Sequence, residues 1–69
     1  MSYTARFGIK EWNDRLNISG ETVKAVRENL EDFFYTHSIK YKDLGDNCYS
    51  FTLTHDSQST HLAKIVCND

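Results

Sequence analysis

Residues 11–30 read EWNDRLNISGETVKAVRENL, and the way this stretch divides into elements decides the fold. Ile9, Trp12 and Leu16 recur at helical spacing, so a short helix is expected from Lys10 to Leu16. The chain then bends through Leu16-Asn17-Ile18-Ser19, where Asn17 tolerates left-handed geometry. Ser19 suits an N-cap, and Glu21 in the first turn complements the positive end of the helix dipole. From there Val23, Val26, Leu30, Phe33, Phe34 and His37 form one stripe, with Lys24, Arg27, Glu28, Glu31 and Asp32 off it. The spacing predicts a long amphipathic helix from Ser19 to Thr36.

Upstream, Tyr3, Ala5, Phe7 and Ile9 alternate with Thr4, Arg6 and Gly8, the period of a half-buried strand. Downstream, three strands are expected. A turn at Gly45-Asp46-Asn47 sets Tyr41 opposite Phe51 and Asp43 opposite Tyr49. A loop at Asp56-Ser57-Gln58-Ser59 then sets Leu53 opposite Leu62 and Tyr49 opposite Val66, putting Leu62 and Val66 on the apolar face. The expected fold is α+β: a short helix and one long amphipathic helix packed on a three-stranded antiparallel sheet, four-stranded if residues 2–9 join it.

A chain of 69 residues is one domain, residues 1–69, and leaves little room for an enzyme-like cleft. Hydrophobic content of 39% beside 26% charged residues is that of a globular domain rather than a disordered one. The apolar runs are too short to span a membrane or to serve as a signal peptide, so the chain reads as complete and cytoplasmic. Two cysteines without close spacing read as reduced thiols, and no metal, cofactor or small-molecule substrate is expected. Ser57, Ser59 and Thr60 beside His55 and Asp56 supply the letters of a catalytic triad within one loop. Groups so close in sequence rarely converge, so this is read as a polar loop and the chain as no enzyme.

The Glu11–Leu30 stretch, with Trp12, Leu16, Ile18, Val23 and Val26 as an inward set, resembles the helix-turn-helix of bacterial regulators. Glu11-Trp12-Asn13 and Glu21-Thr22-Val23-Lys24 are also similar to the corresponding helices of small phage excisionases. The resemblance implies a winged-helix-like protein that binds duplex DNA. Gly20, Glu21, Lys24 and Arg27 would then face the major groove, while Arg15 and the wing residues Lys40 and Lys42 meet phosphates. A net charge of −2 weighs against it, because a DNA binder gains affinity by displacing counterions with a basic surface. The alternative is an acidic protein-binding module, an inhibitor or adaptor of the kind mobile elements encode. Its contact surface would be Glu28, Glu31, Asp32 and Tyr35 on the outer face of the long helix.

Overall fold

A computed structural model describes residues 1–53 and 55–68, with side chains for all of these but Asp56 and Ser57. The elements run β1 (Tyr3–Phe7), α1 (Lys10–Arg15), β2 (Ser19–Gly20), α2 (Val23–Thr36), β3 (Lys40–Gly45), β4 (Cys48–Leu53) and β5 (Asp56–Cys67). The strands form one antiparallel sheet in the order β2-β1-β5-β4-β3. This corrects the expected three- or four-stranded, winged-helix-like arrangement. The sheet has five strands, with β1 inside it between β2 and β5.

The difference begins between α1 and α2. Leu16 leaves α1 in an extended conformation, and Ser19 and Gly20 pair with Thr4 and Tyr3 as a two-residue edge strand. The cause lies in β1, whose outer edge holds backbone groups that need partners. The Ala5 amide donates to the Ile18 carbonyl at 2.9 Å. One residue pair on, the Asn13 side chain takes over: Oδ1 accepts from the Phe7 amide at 2.9 Å, and Nδ2 donates to the Phe7 carbonyl at 2.8 Å. Asn13 thus completes the ladder that β2 is too short to reach. α2 starts later than expected, with the Thr22 hydroxyl accepting from the Ala25 amide as the N-cap, three residues beyond Ser19.

Along α2, Val26, Leu30 and Phe34 are fully buried, as their spacing of four predicts, and they meet Ala5, Phe7, Tyr49, Phe51, Ala63 and Ile65 of the sheet. Gly20 allows the start of α2 to close on β2, since a Cβ there would lie 3.1 Å from that of Ala25. α1 lies on the same side of the sheet. Its Trp12 stacks on Phe51 at 5.3 Å between ring centres and meets Phe7 and Phe33 edge-on. One sheet face is therefore covered by both helices and filled with aromatic rings.

The first hairpin has the expected register, Tyr41 opposite Phe51 and Asp43 opposite Tyr49, with left-handed backbone at Gly45, Asp46 and Asn47. The second does not. β5 already begins at Asp56, and the pairing shifts between Thr52 and Leu53. Tyr49 thereby faces Ala63, and Phe51 faces His61. An odd shift of three residues exchanges the faces of β5. Ala63 and Ile65 enter the core, while Leu62 is half exposed on the other side.

Candidate functional site

The sheet face away from the helices is open. Strand alternation and the ladder pairings place Thr4 and Arg6 of β1, Lys40 and Lys42 of β3, Cys48, Ser50 and Thr52 of β4, and Thr60, Leu62, Lys64 and Val66 of β5 on it. Arg6, Lys40, Lys42 and Lys64 are all exposed. They are four of the eight basic residues of the chain. None of the four is in an ion pair with a described residue, and no described carboxylate lies on this face.

The arrangement has a definite geometry. Arg6 and Lys64 are direct cross-strand partners, and Cys48 is the next residue along that row. In the next row Lys42, Ser50 and Leu62 stand side by side, followed by Lys40, Thr52 and Thr60. Neighbouring strands are about 4.8 Å apart and alternate residues on a strand about 6.7 Å, so the four cations fit within a patch roughly 15 to 20 Å across. Lys40 and Lys42 flank a shallow depression floored by Ser50, Thr52 and Thr60. Ammonium groups beside hydroxyls provide donors for anionic oxygens.

The helix layer has the opposite sign. Glu28, Asp32 and Tyr35 stand out from α2, with Tyr35 85% exposed. Glu31, the fourth member of the expected acidic surface, is turned inward and accepts from the Tyr49 hydroxyl at 2.9 Å. Burial first, and then the contact with the Glu31 carboxylate, push the Tyr49 phenol up to about 12. Arg27 lies over the Tyr49 ring, 5.7 Å from its centre, and pairs with Asp43 of β3. This network ties α2 to the β3–β4 hairpin.

The residues expected to meet DNA therefore divide between two sides. Lys40 and Lys42 lie on the open face. Glu21 and Lys24 are exposed near the start of α2, Arg15 ends α1, and Arg27 is held by Tyr49 and Asp43. Gly20 is an edge-strand residue packed against Ala25 and Val26 rather than a groove contact. Lys40 and Lys42 thus stand on the opposite side of the sheet from α2, which replaces the expected wing beside a recognition helix. Arg6 and Lys64 belong to the patch but were not among the expected contacts. Arg6 could have been found as an outward residue of β1, and Lys64 through its shared parity with Leu62, which argued against that face as core.

Among the described residues no group of three His, Cys, Asp or Glu side chains could hold a metal ion. Cys48 and Cys67 lie on different rows of the sheet, facing Lys64 and Tyr3 respectively, and no disulfide joins them. No described helix is long and apolar enough to cross a membrane. No family model matches the chain, and no curated protein or solved structure matches it.

Proposed function

We propose that the chain is a small non-enzymatic cytoplasmic protein that binds duplex DNA through its phosphate backbone, using the open face of the sheet. The observation that carries this reading is the segregation of charge. A chain of net charge −2 gathers Arg6, Lys40, Lys42 and Lys64 on one face without a described carboxylate, while Glu28 and Asp32 project from the opposite side. Such a distribution orients the molecule in the field of a polyanion, sheet first and helix outward. Among the described residues the open face has no aromatic side chain to stack on a base, which favours phosphate contacts over single-strand readout. The absence of a disulfide between Cys48 and Cys67 suits a reducing compartment.

The test is fluorescence anisotropy of a labelled duplex titrated with the protein at low and moderate salt. With up to four phosphates neutralised, log K should fall with log salt at a slope of about −3 to −4. The K40A/K42A variant should lower that slope by about 2 and the low-salt affinity by about tenfold or more. K24A, on the helix side, should leave both unchanged. If K24A carried the loss and K40A/K42A did not, α2 would be the contact element. An absence of binding at low salt would remove the DNA reading.

A second reading is favoured by one observation. Tyr35 is a large aromatic left 85% exposed on the outer surface of α2, beside Asp32. Tyrosine offers wide contact area at low entropy cost, which suits a protein-binding module that acts through Glu28, Asp32 and Tyr35. The two readings use opposite sides of the molecule, so a Y35A/D32K variant would keep DNA binding while abolishing capture of a protein partner.

A further inference from the structure

We propose that the cleft between α1, the C-terminal end of α2 and the residues Leu53 and His55 is a binding site for a small aromatic carboxylate, separate from the open face of the sheet. The cleft has a volume of about 330 Å³. That is the lower end of the range for small-molecule pockets and too small for a helix or strand of a partner. Trp12, Phe33 and Leu53 form apolar walls, and Arg15, His37 and His55 line the same cleft. The composition is asymmetric: one guanidinium and two imidazoles lie among its described lining residues, and no described carboxylate does.

Two of the three polar groups are placed by the ends of helices. Arg15 occupies the last turn of α1, where a cation complements the helix dipole, and it has no ion pair with a described residue. His37 ends α2 with its backbone amide bonded to the Phe33 carbonyl at 3.1 Å, and its ring lies 4.6 Å from that of Phe33. Trp12 is kept at the wall by stacking on Phe51, so one side of the cleft is pre-formed by the core itself. An aromatic ring entering here removes apolar surface from water, and its carboxylate arm is met by the Arg15 guanidinium and by imidazole N–H donors. The charge sign selects an acid over a neutral or cationic ligand of the same shape.

Trp12 is the only tryptophan in the chain, so its fluorescence reports on this cleft alone. The probe is 3-phenylpropionate, titrated beside 3-phenylpropanol as a neutral analogue and propionate as an anion without a ring. Ligand efficiencies for so small a molecule predict saturable binding at about millimolar concentration or tighter. The alcohol and the propionate should each bind about tenfold more weakly or not at all, and R15Q should weaken the acid about tenfold while its unliganded Tm falls by no more than a few degrees, the effect of one helix-terminal charge. No saturable change up to about 10 mM would overturn the site. Equal binding of acid and alcohol, or of parent and R15Q, would overturn the role of the charge. None of these outcomes touches the lysines of the open face, so this proposal and the DNA reading fail separately.

Discussion

The two faces of the sheet are made by the same alternating strands, yet only one of them holds the molecule together. On the covered side Phe7, Tyr49, Phe51, Ala63 and Ile65 meet Val26, Leu30 and Phe34 of α2. On the open side the same strands present Arg6, Lys40, Lys42 and Lys64 with hydroxyls between them. Stability is concentrated on the first, and the second is free to be specified by a ligand. In so short a chain this division is sharp, because one core is all that the surface-to-volume ratio allows.

The strongest way to break the comparison is to exchange truncations across the faces. Phe51 is almost fully buried and touches rings from β1, α1, α2 and β5, namely Phe7, Trp12, Phe34 and His61. F51A should cost about 3 to 5 kcal/mol. The neighbouring T52A, on the open face, should fall within about 0.5 kcal/mol of the parent. A chain of this length is typically stable by only about 3 to 10 kcal/mol, so F51A should be largely unfolded by circular dichroism in mild urea while T52A is not. Similar losses in the two variants would mean that the open face is covered in solution.

How far the sequence discloses this division follows from the kind of signal each part leaves. The stripe of α2 and the Gly45-Asp46-Asn47 turn are local and periodic, so the long helix and the first hairpin were legible. β2 was not. Two residues carry no period, and Ser19 and Gly20 become a strand only because Thr4, Ala5 and Phe7 present an edge that needs covering. The same cause explains why Asn13 and not an apolar residue stands in α1. The second hairpin slipped because a bulge between Thr52 and Leu53 leaves no mark in composition. The same bulge makes the basic face, since it carries Lys64 to the side of the sheet on which Arg6 stands. A whole-chain net charge averages the two sides away.

A smaller effect is expected where the covered face meets solvent. Tyr49 is fully buried, yet its hydroxyl reaches the half-buried Glu31. Y49F removes one hydrogen bond to a charged group and should cost about 1 to 2 kcal/mol near neutral pH. The phenol is raised to about 12 in the fold from an ordinary value of 10.0. A group whose folded pKa is raised contributes stability that is complete below its unfolded pKa and is lost as pH rises through the folded one. Tyr49 should therefore stabilise the protein up to about pH 10 and cease to do so between about pH 10 and 12. Urea midpoints measured across that window should fall more steeply for the parent than for Y49F. Parallel curves would mean that the hydroxyl reaches water rather than Glu31.

The smallest effect distinguishes the two faces most directly, because its sign is reversed. Arg6 and Lys64 are like charges in direct cross-strand register with no described carboxylate to separate them. Such pairs are destabilising by a few tenths of a kcal/mol, and salt screens them. R6T/K64T should therefore raise stability by about 0.2 to 0.5 kcal/mol at low salt, with the gain vanishing near 1 M. The same variant should bind duplex DNA more weakly, with the salt slope reduced by about 2. On the covered face every truncation costs stability; here a substitution that improves the fold should impair binding. A loss of stability in R6T/K64T would show that the pair contributes to packing through its aliphatic stems. The charge on the open face would then need no ligand to account for it.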